Sequence, residues 1–134
     1  MKSVFLKKWL FLSVTLLSSI LLFSFIASPY QNWVVPAEYK NKVNPVKGKN
    51  LEAGKGLYNK HCKICHGAGG EGGTPKAKTL KYTGKIKLAD IKNQTDGELY
   101  YKSIIGRLNM PNFEKKITVE NDRWGIINHM RTFK

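Results

Sequence analysis

Both cysteines of this 134-residue chain lie in the unit "CKICH", residues 62–66. Cys62 and Cys65 are three positions apart, and His66 follows directly. Three kinds of chemistry use such a unit: a redox dithiol, half of a zinc site, or the covalent attachment of a haem. A redox dithiol usually stands in a βαβ context, and this sequence shows no convincing strand pattern. A structural zinc site needs four ligands, and the other histidines, His61 and His129, do not form a second pair.

Haem attachment uses every residue of the unit. The thiols of Cys62 and Cys65 would add to the two vinyl groups of one haem, and the imidazole of His66 would bind the iron. A C-x-x-C-H unit is typical of this chemistry, which takes place outside the cytoplasm. The pattern therefore favours one covalent haem c over the thiol and zinc alternatives.

A second iron ligand is expected far downstream, in "GRLNMPNF", residues 106–113. Met110 is followed by Pro111, which stiffens an otherwise polar loop. Thioether sulfur is a soft ligand, and Met/His ligation raises the haem potential. Met130 instead falls on a helical apolar stripe and is predicted to fill the core. Arg107, beside the Met110 loop, either pairs with a haem propionate or stays solvated.

Three helices are predicted to position these residues. In the second, Thr95 and Glu98 form a capping-box pattern and Gly106 marks the end. In the third, Thr118 is the predicted N-cap. The three segments are "LEAGKGLYNKHC" (51–62), "TDGELYYKSIIG" (95–106) and "TVENDRWGIINHMRTF" (118–133).

The domain expected over residues 51–134 is small, and residues 67–94 are rich in Gly and Lys and mostly irregular. Domains of this size generally need a disulfide, a metal or a large cofactor for stability. Two cysteines within one turn cannot cross-link distant segments. A haem in the middle of the domain would supply the missing apolar core.

The N-terminus predicts export. Lysines precede "WLFLSVTLLSSILLFSFI", residues 9–26, an uncharged run just long enough to cross a bilayer. We expect residues 1–27 to be an uncleaved signal anchor, with a removed signal peptide as the alternative. The basic end would stay in the cytoplasm and the rest would lie on the periplasmic or extracytoplasmic side, with Tyr30 and Trp33 at the membrane interface. Residues 28–50, rich in Pro, Lys and Asn, predict an extended linker.

The chain carries 23 basic and 9 acidic residues, a formal net charge of +14. Nucleic acid is one partner class for such a charge, but an exported domain never meets the chromosome. Lysines near an exposed haem edge would instead steer acidic redox partner proteins. Attraction to membrane head groups is the competing use of the charge.

Four sequence features occur together in this chain: Gly54 and Tyr58, "CKICHG" from Cys62, "MP" at 110–111 and the final helix "RWGIINHMRTF". In these features the chain resembles a class I (mitochondrial-type) cytochrome c of the small bacterial mono-haem kind, over about residues 51–134. The resemblance implies an all-α fold, with three to four helices wrapped around one covalently attached haem. The N-terminal membrane helix expected from residues 9–26 precedes them. It also implies that Gly54 lets the last helix cross closely, with Trp124 as the aromatic residue there. The carbonyl of Pro75 is the expected partner of the His66 ring.

The expected function is electron transfer in a respiratory chain by a haem c whose iron is bound by His66 and Met110. Such a carrier is not an enzyme and binds no small-molecule substrate. One alternative is a haem-containing subunit of a larger oxidoreductase complex. Another is a haem peroxidase or sensor with a labile Met ligand. The expected location is the membrane, with the haem domain on the periplasmic side; soluble periplasmic protein is the alternative.

Overall fold

A computed structural model describes residues 33–80, 91–107 and 110–133, which belong to one compact unit, Trp33–Lys134. The predicted membrane segment, residues 9–26, and Tyr30 lie outside the described residues. In the described ranges, no helix is long and apolar enough to cross a membrane.

The described residues form helices and connecting turns. A single isolated bridge between Arg107 and Met110 is the one β feature among them, so the all-α prediction is confirmed for this part of the chain. The elements are α1 (Ala37–Lys40), α2 (Leu51–His61), α3 (Lys63–His66), α4 (Pro75–Thr79), a 3₁₀ turn (Ile91–Asn93), α5 (Asp96–Tyr100), a π-helical turn (Tyr101–Ile105) and α6 (Glu120–Met130).

Helices α2 and α6 cross with their backbones in direct contact. A Cβ atom built on Gly54 would lie 2.0 Å from the carbonyl oxygen of Gly125, far inside any allowed approach. A Cβ on Gly125 would lie 2.8 Å from the carbonyl oxygen of Asn50. The close crossing expected at Gly54 is therefore confirmed, and it needs a second glycine on the partner helix.

The apolar core lies around this crossing. Trp124, next to Gly125, is fully buried and stacks on Tyr100 with 4.3 Å between ring centroids. Met130 is 2% exposed and its sulfur contacts the Ser103 hydroxyl, which confirms its predicted place in the core. The buried cluster comprises Tyr58, Leu99, Tyr100, Ile104, Phe113, Ile117, Trp124, Ile126, Ile127 and Met130.

The helix ends follow the sequence signals in α5 but not in α6. Thr95 and Glu98 form the predicted capping box, and Gly106, at φ 71°, follows the last residue of the π-helical turn. In α6 the predicted N-cap, Thr118, is wrong by one residue. The N-cap is Val119, whose carbonyl accepts from the backbone N–H groups of Asp122 and Arg123, and no side chain caps this end.

Residues 33–50 are part of the folded unit, so the predicted extended linker is wrong for this stretch; residues 28–32 lie outside the described residues. Helix α1 lies against the start of α5, where a Cβ on Gly97 would come within 1.9 Å of the Tyr39 carbonyl oxygen. The Thr95 hydroxyl donates to the Lys40 carbonyl at 3.0 Å. These contacts involve backbone atoms, which explains why a Pro- and Lys-rich composition gave no sign of them.

A buried amide pair fixes the other end of this stretch. Asn128 of α6 accepts a hydrogen bond from the Asn44 side chain at 2.8 Å and donates to the carbonyls of Val46 (2.6 Å) and Lys49 (2.8 Å). The Asn44 amide also donates to Asp96 at 3.1 Å. Buried polar groups are costly when unpaired, so this network ties residues 44–49 to α6.

The glycine crossing predicts opposite effects for two substitutions in α2. In Gly54→Ala the added methyl group would clash with the carbonyl oxygen of Gly125, so this variant of the haem-loaded protein should be less stable by about 3 kcal/mol or more. Gly56→Ala meets no atom within 4 Å and should stabilise it by about 0.5–1 kcal/mol through helix propensity. Urea unfolding of both variants measures the difference; equal effects would show that the crossing is not a tight constraint.

The amide network predicts that Asn128→Ala lowers the free energy of unfolding by about 2–4 kcal/mol, because it leaves several buried groups without partners. Asn121→Ala, at an exposed position of the same helix, should change it by less than about 0.5 kcal/mol. Limited proteolysis would also cut Asn128→Ala faster within residues 41–50. Unchanged cleavage there would contradict the docking of this stretch.

Candidate functional site

The Cys62–His66 unit is a single helical turn. Cys62 is the C-cap of α2, and its carbonyl accepts hydrogen bonds from the backbone N–H groups of Cys65 (3.1 Å) and His66 (3.0 Å). Residues three and four apart on such a turn are neighbours on one face. The fold thus brings together the two predicted thiols and the predicted imidazole.

The chain after His66 folds back onto this turn. The Tyr58 hydroxyl, buried in the core, donates to the Gly67 carbonyl at 2.8 Å, and burial raises the pKa of Tyr58. The backbone N–H of Gly72 donates to the His66 carbonyl at 2.7 Å. The Thr74 hydroxyl lies 2.7 Å from the Ile64 carbonyl oxygen and 3.2 Å from that of Cys65. Hydrogen bonds from both sides therefore hold the turn in place.

Glu71 organises this loop and was not singled out by the sequence analysis. Its carboxylate accepts from the backbone N–H groups of Ala68 (3.1 Å) and Gly69 (2.7 Å). Hydrogen bonds from its own backbone N–H and that of Gly69 hold the pKa of Glu71 below its usual value. Gly67, at φ 83°, leaves the room that the carboxylate occupies, since a Cβ there would lie 2.4 Å from it. The sequence signal that could have identified Glu71 is its position as the one acidic residue in the glycine-rich segment 67–73.

Met110 lies in a tight turn on another part of the chain. Its backbone N–H donates to the Arg107 carbonyl at 3.0 Å, closing a four-residue turn directly after Gly106. A Cβ on Gly106 would lie 2.4 Å from the Met110 carbonyl oxygen. Beyond the turn, the Phe113 N–H donates to the Ile104 carbonyl at 2.7 Å. Gly106, predicted only as a helix end, is what allows the Met110 turn to fold back.

The two segments meet at an aromatic contact. The ring of His61, next to Cys62, lies 5.8 Å from the ring of Phe113, three residues after Met110. Phe113 and Ile104 belong to the apolar core, and Cys62 packs against it. The donor types on the two segments, two thiols, an imidazole and a thioether, fit a covalently attached haem with two axial ligands.

The environment of Cys62 opposes thiol exchange. Burial, and then the neighbouring Cys65, raise the pKa of the Cys62 thiol to about 12. Redox C-x-x-C motifs need the reverse, because the thiolate is the reactive form. This geometry therefore favours attachment chemistry over the dithiol alternative.

Other predicted site residues have mixed outcomes. Pro75 is the first residue of α4, directly after Thr74, and its bond to the His66 ring stays a prediction. Trp33 packs against the Arg107 guanidinium, whose Cζ lies 4.5 Å from the indole ring centroid, and its place at the membrane interface stays a prediction. The pairing of Arg107 with a haem propionate also stays a prediction.

The Glu71 loop predicts a pH dependence of stability. Because its folded pKa is depressed, the carboxylate stabilises the native state fully above its ordinary value of 4.5, and this stabilisation is lost as the pH falls through the lowered folded value. Glu71→Gln should therefore be less stable than the parent at pH 7, with a difference that shrinks in acid. Urea unfolding at several pH values measures it. The control is Glu52→Gln, an exposed carboxylate on α2; a pH-independent difference for Glu71→Gln would contradict the prediction.

A family model described as "Cytochrome C oxidase, cbb3-type, subunit III" matches residues 49–130, more than half of the chain. The match begins just before α2, ends at the last residue of α6, and includes the Cys62–His66 turn and Met110. A search of curated proteins finds no match.

Proposed function

Since the chain belongs to the cytochrome c oxidase, cbb3-type, subunit III family, we propose that it is a membrane-tethered electron carrier of a respiratory chain. The family match confirms the cytochrome c domain expected from the sequence, and with it a covalently bound c-type haem and its iron. The His/Met ligation, the location and the respiratory role are the proposal.

Four side chains would hold the haem. Cys62 and Cys65 would form the thioether bonds, and His66 and Met110 would occupy the two axial positions of the iron. The iron supplies reversible one-electron chemistry when the group is bound. The contact between His61 and Phe113, which brings the attachment turn and the Met110 segment to one side of the core, is the observation that carries this assignment.

The protein's own residues would keep the iron closed to substrates. Tyr58 and Thr74 fix the turn that presents His66, and Gly106 fixes the turn that presents Met110. With both axial positions filled by side chains, no position is left for a small-molecule substrate. This supports electron transfer over catalysis at the iron, and a peroxidase or sensor would need the Met110 bond to be labile.

The surface near the attachment turn is basic. Exposed lysines flank Cys62 on both sides and occupy α4, which Thr74 connects to the turn. Such a surface favours encounter with acidic redox partner proteins. These exposed lysines are Lys60, Lys63, Lys76 and Lys78. Lys116, also exposed, lies 5.8 Å from the centroid of the Phe113 ring.

The second candidate is a stable haem-containing subunit of a larger oxidoreductase complex. The family description, which names a subunit of an oxidase, favours it. Purification of the full chain from mild detergent separates the two: a free carrier elutes alone, and a subunit elutes with its complex. In either case we propose that residues 9–26 anchor the chain and place the haem domain on the extracytoplasmic side, with a cleaved signal peptide as the alternative.

The axial assignment predicts distinct behaviour for two methionine variants of the full chain, exported in a host that attaches haem c. The parent should show a low-spin spectrum with a Met-to-ferric-iron band, unmoved by carbon monoxide. Met110→Ala should lose the band, bind carbon monoxide and have a lower reduction potential. Met130→Leu, a volume-conserving change in the core, should behave like the parent.

Three results would contradict the proposal. Binding of carbon monoxide by the parent would indicate an open iron and favour a peroxidase or sensor. A Met110→Ala variant identical to the parent would exclude Met110 as the ligand. Absence of covalent haem would return Cys62 and Cys65 to thiol chemistry.

A further inference from the structure

Residues 33–44 run alongside the part of the chain that leads to Met110, in the opposite direction. Lys40 contacts Thr95 at the start of α5 through the hydroxyl–carbonyl bond. One residue earlier, the ring of Tyr39 lies 4.8 Å from the ring of Tyr101 in the π-helical turn. The stretch therefore follows α5 and its continuation along their length.

The same stretch reaches the Met110 turn itself. Trp33 lies against Arg107, with 4.5 Å between the guanidinium carbon and the indole ring centroid. Arg107 is the first residue of the turn, and its carbonyl accepts the Met110 N–H at 3.0 Å. A contact on Arg107 is therefore a contact on the hydrogen-bonded turn that carries the thioether.

The other end of the stretch is anchored. Asn44 is 7% exposed and donates to Asn128 of α6 and to Asp96 of α5. Asp96 is in turn paired with Arg131, 2.7 Å away. Residues 33–44, which we call the brace, thus extend from a buried network in the core to the Met110 turn.

We propose that the brace restrains the Met110 turn and that Trp33 is a positioning residue for the axial methionine. The inference rests on the proposed His66/Met110 ligation and adds a residue to it that lies outside the domain expected from the sequence. Trp33 acts through Arg107, whose carbonyl accepts the Met110 N–H, and is not itself proposed as an iron ligand.

The physical argument concerns local opening. Arg107 and Met110 are only half-buried, and segments with little buried surface open locally at low cost; in the proposed ligation each opening would leave the iron accessible to added ligands. A guanidinium held over an aromatic ring is attracted by the face of the ring, a contact that an alanine side chain cannot make. Removing the ring should therefore raise the population of the open turn without unfolding the core around Trp124.

The test uses the full chain, loaded with haem, and three variants: Trp33→Ala, Trp33→Phe and Val34→Ala. Val34 is 82% exposed and adjacent to Trp33, so it controls for changes in this part of the chain. The readouts are imidazole affinity of the ferric protein, carbon monoxide affinity of the ferrous protein, the Met-to-ferric-iron band, the reduction potential and urea unfolding.

Trp33→Ala should bind imidazole and carbon monoxide about threefold to tenfold more tightly than the parent, with a weaker band. Trp33→Phe should restore most of the parent behaviour because it keeps an aromatic face under Arg107. Val34→Ala should match the parent. In a double-mutant cycle, Trp33→Ala should change ligand affinity less when residue 107 is already Ala than in the parent, as expected for two residues in contact.

The inference is overturned if Trp33→Ala and Val34→Ala bind added ligands equally, or if Trp33→Ala changes only urea unfolding. The first result would fit a Trp33 ring placed at the lipid interface, and the second a merely structural role. Failure of the proposed function has a different signature, since the parent itself would then lack the band and bind carbon monoxide. That result would also overturn the inference, because no axial methionine would remain to be positioned.

Discussion

The direct backbone contact between Gly54 and Gly125 is the constraint on which the rest of the structure depends. It sets the distance between α2 and α6, and the core fills the angle between these helices. Cys62 is the C-cap of helix α2, so the same contact places the attachment turn relative to the core. Helix α6 carries Asn128, which holds the residues before α2. One steric requirement thus positions both the haem-attachment turn and the segment that precedes it.

Hydrogen bonds extend this frame to the candidate ligands. Tyr58 projects from α2 to the Gly67 carbonyl and so connects the core to the loop behind His66. On the other side, the π-helical turn Tyr101–Ile105 leads from the core into Gly106 and the Met110 turn. π-Helical turns are rare and often occur at functional sites, because the wider turn shifts the residues that follow. Here the π-helical turn ends at Ile105, directly before Gly106 and the Met110 turn.

The local parts of the fold followed from the sequence, and the long-range parts did not. The capping box at Thr95 has its signal within a few residues, whereas the crossing at Gly54 was expected from the family resemblance and its partner Gly125 was not predicted. The docking of residues 33–50 has no local signal, because it depends on carbonyl groups and on an asparagine pair 84 positions apart. Val119 as the N-cap of α6 goes against capping preference, since its side chain offers no hydrogen-bond acceptor. The candidate haem-binding residues were proposed from residue type. The roles of Glu71 and Gly106 in supporting the two loops were not predicted, because they depend on backbone conformations that the sequence does not show.

The late position of Gly125 has a consequence for the timing of maturation. Gly125 follows Cys65 by 60 positions, so the helix crossing cannot form until these further residues have been made. At about 5–20 residues per second, the cysteines precede their packing partner by about 3–12 s. Cys62 packs in the finished fold against a core that includes residues of α6, and these residues are absent during that interval. The order of the helices along the chain therefore keeps Cys62 outside a completed core until α6 has been made.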